Sequence, residues 1–395
     1  MKKVICVAAA FAMVAGLATV AAAEVDLSGS ARVRARYNDD GVKDSVTKWD
    51  SRVRVKFHAK TEGGGYVKAR LRFLDGTWGT GGEYKATAKG DKNVWSDYAF
   101  VGFKSGKFDL AGGKMPTDFS PWFSDDERAD RLRLLYKDGG LGLALTYDKR
   151  IYENRDRTET ISVPIFAIDG STVSIPVEIE GPELGGDKDV WGVTYRQKFS
   201  DAVEVNVRAA YVSDETNADN DGFKGSVNLG MSFAGNNIIL EQSYKEGDLF
   251  KAGADDQYGG YAEWNAAFGS ITPTVRLGYT MDGFTAAPAF GWLMIGGDVP
   301  TTNTGEIGLG GDTLFAGLSS KFQASEALSL TGNLVYLDID DDGTAKYGEN
   351  PFEISGQAKY KVGKGVTLLV RAGWLSSDSD ADDAISAYTQ MAVKF

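Results

Sequence analysis

The sequence predicts an all-β protein, a transmembrane antiparallel β-barrel of about 16–18 strands. Three observations predict it. Apolar and polar side chains alternate with a period of two over stretches of about ten residues. The connectors between these stretches alternate between short and long. Beyond the first 23 residues, no run approaches the length of about 18 apolar residues that a membrane helix needs. Spanning a membrane then requires strands closed into a barrel, because only closure pairs every backbone group in lipid.

The first 23 residues have the organisation of a secretory signal peptide. Lys2 and Lys3 precede an apolar stretch from Val4 to about Val20, and Ala21–Ala23 supplies a small-residue cleavage site. We therefore expect a signal peptide over residues 1–23 and a barrel domain over 24–395. The alternative, a retained membrane helix, is disfavoured because no stop-transfer charges follow. Cleavage would also remove Cys6, the only cysteine, and with it any disulfide or cysteine metal site.

Charge and motif content exclude several classes of function. Without Lys2 and Lys3, the chain has 41 basic and 55 acidic residues, a net charge of −14. Such an acidic chain is a poor ligand for nucleic acid. The chain has no phosphate-binding or dinucleotide-binding motif, and its one histidine, His58, lies in a row of basic residues. The sequence therefore predicts a protein that is not an enzyme and has no cofactor, apart from a possible structural calcium.

Residues 25–37 show the alternation most clearly, with apolar or small residues at odd positions and mostly polar or charged residues at even ones. The pattern recurs over residues 49–61 and 67–73. Further strands are predicted near residues 94–103, 107–114, 131–137, 140–148, 190–199, 203–212, 223–233, 237–245, 257–268, 271–280, 313–322, 327–338, 351–360, 365–375 and 385–395. The total is about eighteen, to within two.

The connectors support a barrel in an outer membrane, which has short periplasmic turns and long extracellular loops. Residues 149–189 form the longest connector. It contains two β-rich runs around the turn Asp169-Gly170, which predicts an extra hairpin. Pro164 and Pro176 disfavour two more membrane strands. We expect the connectors 149–189 and 281–312 to be open to external protease.

Aromatic residues lie at both ends of the predicted apolar face, as expected for girdles at two membrane interfaces. Those beside long connectors are Tyr37, Trp49, Tyr147, Trp191, Tyr211, Phe223, Tyr279, Phe352 and Trp374. Those beside short turns are Phe57, Phe103, Phe108, Tyr136, Phe199, Phe233, Phe268, Phe322 and Tyr360.

The last predicted strand carries outward residues Ile385, Ala387, Thr389, Met391, Val393 and Phe395. With the hairpin of residues 99–108, it resembles the Gram-negative outer-membrane porin family, either a general porin or an eighteen-stranded relative. The resemblance implies location in the outer membrane and passive diffusion of small hydrophilic solutes. It also implies contact with outer-membrane lipids, a homotrimer, and recognition of Phe395 as an assembly signal by the barrel-assembly machinery.

Basic residues dominate the predicted lumen face of the first strands. They are Arg32, Arg34, Arg36, Arg52, Arg54, Lys56, Lys68, Arg70 and Arg72, and the strand at 131–137 adds Arg131 and Arg133. A wall of one sign concentrates the opposite ion, so the pattern favours anions. The alternative is the ordinary polarity of any water-filled lumen.

The third long connector, residues 115–130, resembles by its position the loop that folds inward and narrows a porin. Its carboxylates Asp118, Asp125, Asp126 and Glu127 would then face the basic residues. The alternative is an ordinary solvated acidic loop.

A possible calcium site follows from the spacing of Asp338, Asp340, Asp342 and Glu349 around Gly343, which matches the loop of an EF-hand. No flanking helices are predicted, so chance acidity of an outer connector remains the alternative.

Three functions stay open from the sequence. The first is a diffusion pore with a charge preference. The second is a barrel that sheathes partners in a trans-outer-membrane complex such as a porin–cytochrome electron conduit. The third is a substrate-specific anion channel with a saturable site.

Overall fold

The structure is a computed structural model that describes most of the chain from Glu24 to Phe395. The described residues are 24–41, 45–78, 84–86, 94–120, 122–123, 127–151, 158–166, 172–180, 187–214, 221–249, 255–287, 290–295, 297, 307–309, 311–341, 345, 347–377, 379 and 381–395. The predicted signal peptide therefore lies outside the described residues. Within them, no helix is long and apolar enough to span a membrane.

The described residues form twenty-one strands and one short 3-10 turn at Gly247–Leu249. The strands are β1 (Glu24–Asp39), β2 (Val46–Lys60), β3 (Gly65–Trp78), β4 (Tyr84–Ala86), β5 (Val94–Ser105), β6 (Phe108–Pro116), β7 (Arg128–Asp138), β8 (Leu141–Ile151), β9 (Thr158–Phe166), β10 (Thr172–Glu180), β11 (Asp187–Lys198), β12 (Val203–Asp214), β13 (Gly222–Phe233), β14 (Asn236–Lys245), β15 (Gln257–Ala266), β16 (Ile271–Met281), β17 (Gly311–Gln323), β18 (Leu328–Asp341), β19 (Phe352–Gly363), β20 (Val366–Ser376) and β21 (Ala384–Lys394).

Eighteen of these strands close into one antiparallel barrel. Each barrel strand pairs with the next along the chain, and β21 pairs with β1. β4 pairs only with residues 76–78 at the end of β3. The barrel therefore has no free sheet edge, so its backbone groups are paired inside the membrane.

Side chains alternate across the barrel wall as the sequence predicts. Leu27, on the odd-numbered face of β1, is 63% exposed, whereas Arg34, on the even-numbered face of the same strand, is 6% exposed. Girdle aromatics of adjacent strands contact each other on the outside. Tyr147 and Trp191 have ring centroids 4.5 Å apart, and Phe108 and Tyr136 are 5.1 Å apart at the opposite end. The outward face is thus apolar with aromatic ends, and the inward face carries the charges.

The predicted eighteen barrel strands are confirmed, with ends that differ by a few residues. The extra hairpin in the longest connector is also confirmed. β9 and β10 pair with each other in a separate two-stranded sheet. The turn Asp169-Gly170 lies outside the described residues. The short strand β4 was not predicted.

Candidate functional site: the channel and its constriction

One side of the lumen, here called the basic wall, is the inward face of β1, β2, β3 and β7. All eleven predicted basic residues lie on it: Arg32, Arg34, Arg36, Arg52, Arg54, Lys56, Lys68, Arg70, Arg72, Arg131 and Arg133. Strand pairing sets them side by side, because Arg32 is opposite Arg52 and Arg54 is opposite Arg72. Like charges at directly opposed positions repel, so this wall needs carboxylates, water or both.

Asp50 supplies the first of these carboxylates. It is 6% exposed and lies among three arginines of β1. The Nε atoms of Arg34 and Arg36 are 3.0 Å and 2.9 Å from Asp50 Oδ2, and Arg32 Nη2 is 3.8 Å from Oδ1. Asp50 is thus a counter-charge common to three arginines.

Asp97 repeats this arrangement on the neighbouring strands. It forms ion pairs with Arg70, with Arg72 at 2.8 Å and with Arg128 at 3.6 Å. β5 has a register irregularity opposite Arg70 and Leu71, at the position of Asp97. The sequence did not predict that Asp97 and Arg128 belong to this group, since the irregularity in β5 breaks the period-two pattern there.

The arginines of β7 have their own carboxylates. Arg131 Nη2 donates to Asp148 Oδ2 at 2.8 Å, and Arg133 Nη2 lies 3.6 Å from Asp109 Oδ2. Asp109 also accepts the hydroxyl of Tyr66 at 2.6 Å. Each of these two arginines of β7 thus has a carboxylate of a neighbouring strand beside it.

The first inward loop, residues 117–127, crosses from β6 towards the opposite side of the lumen. Its base is closed by a bond from the Thr117 main-chain N–H to the Glu127 carbonyl at 3.1 Å. The carbonyl of Asp118 accepts a bond from Arg208 Nη1 of β12 at 3.1 Å. Glu127 Oε2 accepts from Arg150 Nη2 at 3.0 Å. The Asp118 carboxylate lies 3.8 Å from Arg128 Nη1, so two predicted loop carboxylates are beside arginines. Asp125 and Asp126 lie outside the described residues.

Trp122, near the tip of this loop, is fully buried. Its ring centroid is 4.5 Å from that of Phe290 and 5.4 Å from that of Phe315 on β17. The Trp122 carbonyl accepts the main-chain N–H of Ala287 at 2.7 Å. The first inward loop therefore packs on a second segment inside the barrel.

That segment is the second inward loop, residues 282–310, between β16 and β17. Its described residues Phe284, Leu293, Met294, Ile295 and Ile307 are all at most 2% exposed. They pack on inward side chains of β15, β17, β18, β20 and β21, in one apolar cluster with Trp122. The inward face of β15–β20 under this loop is here called the covered wall.

A buried carboxylate anchors the second inward loop. Glu353, on the inward face of β19, is fully buried. Its carboxylate accepts the main-chain N–H groups of Leu293, Met294 and Ile295 at 3.2, 2.9 and 2.7 Å. Arg276 Nη1 of β16 also donates to the Phe290 carbonyl at 2.7 Å. Both loops thus fold into the lumen and are held there by polar contacts to inward side chains of the barrel.

Comparison with known proteins identifies this arrangement. The sequence profile of the Gram-negative porins matches residues 8–389. The chain belongs to the Gram-negative porin family. No curated protein matches the chain at a significant level.

Solved structures with the same fold include outer-membrane proteins of Pseudomonas aeruginosa. OpdQ superposes with a TM-score of 0.63 at 12% identity, covering 94% of this chain and 99% of that one. OpdK gives 0.63 at 12% identity, covering 94% and 98%. OprD gives 0.60 at 14% identity, covering 93% and 94%. At these identities the similarity shows the fold alone.

Family and fold together make this porin an outer-membrane β-barrel channel for small solutes. The alternative of a barrel sheath around electron-transfer partners is not favoured. Porins are channels rather than enzymes. His58 lies on the inward face of β2 with its Nδ1 3.9 Å from Asp26.

The second inward loop corrects one expectation for this porin. The sequence predicts that residues 281–312 form an exposed connector open to protease. That expectation is wrong for residues 284–287 and 290–295, most of which are buried inside the barrel. The signal was present in the apolar composition of residues 284–295, which differs from the acidic connectors elsewhere.

The proposed calcium ligands of the porin lie at the end of β18. Asp338 and Asp340 are exposed on the outward face, and Asp342 lies outside the described residues. The Ile339 N–H donates to the Glu349 carbonyl at 2.8 Å, which places Glu349 beside this strand end. Among the described residues, no group of three or more His, Cys, Asp or Glu side chains is arranged to hold a metal ion. The calcium site stays a prediction.

Phe395 lies at the seam where β21 meets β1. Its main-chain N–H donates to the Gly29 carbonyl at 3.1 Å, and its carbonyl accepts the Gly29 N–H at 2.7 Å. A Cβ on Gly29 would lie 2.4 Å from the Phe395 ring, so the ring packs directly against that glycine. The residue thus has a structural role in the seam, and its predicted role in assembly stays a prediction.

Proposed function

We propose that this porin prefers small organic anions, and that the arginines of the basic wall carry the preference. The observation that supports it most is that Asp50 and Asp97 each lie among three arginines. Basic side chains therefore dominate the inward face of β1, β2, β3 and β7, along which a permeating ion passes.

Local charge outweighs the net charge of the chain in this argument. Exposed charges of the outer connectors are screened beyond about 8–10 Å at physiological salt. Charges on the wall act on the permeating ion directly, since the low-dielectric barrel focuses their field into the lumen. The acidic connectors therefore weaken the preference at low salt and matter little at moderate salt.

The solute class follows from the same groups. Arginine guanidinium groups present paired N–H donors that match a carboxylate. Among the structures with this fold, OpdK has been crystallised with vanillate, a small carboxylate. We infer that small carboxylates are the preferred solutes of this channel.

A planar-bilayer measurement under a KCl gradient tests the proposal. The wild-type porin should give a reversal potential of the sign for anion preference. The triple variant Arg52→Gln, Arg54→Gln and Arg70→Gln should move that potential towards cations, because it removes three charges from the wall.

The double variant Arg196→Gln and Glu204→Gln is a matched control. These residues form a one-to-one ion pair at 2.8 Å, so removing both leaves the net charge of the lumen unchanged. Its reversal potential should equal that of the wild type. A wild-type channel that prefers cations at moderate salt would contradict the proposal.

We also retain two expectations about partners: that the barrel-assembly machinery reads the segment containing Phe395, and that the porin forms a homotrimer. Phe395→Ala should lower the yield of heat-modifiable barrel in the outer membrane. Native mass spectrometry of the detergent-extracted porin would measure the oligomer. A monomer alone would rule out the trimer and leave the channel proposal intact.

A further inference from the structure

A cavity of about 220 Å³ lies beneath the second inward loop, against the covered wall. It is separate from the basic wall, which lies on β1–β3 and β7. The residues used in the argument below line it: Arg276, Trp292, Asn333, Ser355, Gln357 and Arg371. Its volume is smaller than that of a typical drug-binding pocket, so it suits a small solute.

The polar side chains of this cavity form two ordered rows across four strands. In one row, Ser319 Oγ donates to Asn333 Oδ1 at 2.7 Å, and Asn333 Nδ2 donates to Ser355 Oγ at 3.0 Å. In the other row, Arg371 Nε donates to Gln357 Oε1 at 2.7 Å, and Gln357 Nε2 donates to Thr331 Oγ1 at 3.3 Å. These bonds fix the side chains before any solute arrives, which lowers the entropic cost of binding.

The two rows have more donors than acceptors. Asn333 Oδ1 and Gln357 Oε1 each accept a bond inside their row. The hydroxyl protons of Ser355 and Thr331 and the Nη groups of Arg371 find no acceptor among the described residues. A complementary solute must therefore supply acceptor oxygens.

The charge of the cavity points to a single negative charge on that solute. Arg276 is paired with Glu263 on β15 and also donates to the Phe290 carbonyl. Arg371 has no ion pair with a carboxylate among the described residues. Its guanidinium lies 5.7 Å from the ring centroid of Tyr388, which is a neutral side chain. One positive charge is thus left uncompensated.

Trp292 adds an apolar surface to the cavity. A Cβ on Gly317 would lie 2.0 Å from Trp292 Cζ2, so the glycine makes room for the indole against β17. The Arg276 guanidinium is 5.4 Å from the Trp292 ring centroid. The indole is held between strand and loop as a flat surface on which an apolar or aromatic body can rest.

From these features we propose that the cavity is a binding site for a small organic monocarboxylate, with Arg371 pairing its carboxylate and Trp292 contacting its apolar part. The Arg34 and Arg371 guanidinium groups lie 5.4 and 5.7 Å from the ring centroid of Tyr388, from the two strands that flank β21. The cavity arginine and the basic wall are thus neighbours around one tyrosine. The proposal rests on the proposed function in that the solute is an anion, but the site does not depend on overall ion selectivity.

Single-channel recording of the full porin with benzoate as the probe tests the site. Benzoate should interrupt the current with a measurable dwell time, and neutral benzamide should not. Arg371→Gln keeps hydrogen-bonding capacity but removes the charge, and it should shorten the benzoate dwell time about tenfold. Gly317→Ala, which displaces Trp292, should also shorten it.

The basic-wall variant Arg54→Gln separates this site from the proposed function. It should shift the reversal potential while Arg371→Gln shortens the dwell time. Benzoate dwell times that are equal in wild type and Arg371→Gln would overturn the site, as would equal interruption by benzoate and benzamide. A wild type without anion preference that still shows Arg371-dependent dwell would overturn only the proposed function.

Discussion

The basic wall and the covered wall face each other across one lumen but are stabilised by different interactions. On the basic wall, arginines share carboxylates and remain partly accessible, with side-chain exposures of 12–21% around Asp50 for Arg36 and Arg32. On the covered wall, Trp122, Phe284 and Leu375 form an apolar cluster as dry as the interior of a soluble protein. The difference shows that one barrel can have a wet, charged side for conduction and a packed side that sets its width.

The largest expected effect comes from breaking the anchor of the covered wall. Glu353→Ala leaves three loop N–H groups without their acceptor, which costs roughly 2–4 kcal/mol in all. We expect the second inward loop to leave the wall and single-channel conductance to rise by about twofold, because the narrowest section controls conduction.

Glu326→Ala is the control for this variant. Glu326 lies in the short connector between β17 and β18, away from the inward loops. Its conductance should match that of the wild type. An unchanged conductance of Glu353→Ala would mean that apolar packing alone holds the loop.

The second prediction concerns that packing. Trp122→Ala removes a fully buried ring that contacts both inward loops and β17, and such a truncation destabilises its surroundings by about 3–5 kcal/mol. The barrel ladder remains, so we expect looser loops in a folded barrel. Proteolysis of the purified porin should then cut within residues 284–295, where the wild type resists. Resistance equal to the wild type would contradict the packing argument.

The contrast between the walls also explains what sequence could predict. Barrel strands follow from alternation, since each has one face in lipid and one in the lumen. The positions of Arg32, Arg34 and Arg36 follow from the same rule. The covered wall does not, because Trp122 packs on Phe290 and Phe315, and Glu353 binds three N–H groups of the second inward loop, through loop packing that no local pattern encodes. The sequence signal for the covered wall was the apolar composition of residues 284–295, since the other long connectors are acidic.

A smaller effect is expected from removing the charge of Asp50 on the basic wall. Asp50→Asn keeps the side-chain shape and removes the one charge that three arginines share. We expect a reversal potential further towards anions and a loss of stability of roughly 1–3 kcal/mol, since the three arginines then lose a buried carboxylate that they contact. Asp201→Asn, in an exposed turn, is the matched control. A shift towards cations in Asp50→Asn would contradict the role of excess positive charge.

The smallest expected effect lies outside both walls, at the outward end of β18. Asp340 is directly opposite Asp312 in the strand pairing, and Asp338 lies two residues away on the same face. Like charges at opposed positions destabilise a strand pair, and a calcium ion bound with Asp342 and Glu349 would relieve that repulsion.

If the ion binds, a chelator should lower the thermal unfolding temperature of the porin by a few degrees, which is a small change relative to the stability of the closed barrel. Asp340→Ala should abolish the response, because it removes both a ligand and the opposed charge. Asp189→Ala, at another outward strand end, should keep the full response. An unfolding temperature of the wild type that does not change with chelator would contradict the calcium site and would not bear on either wall.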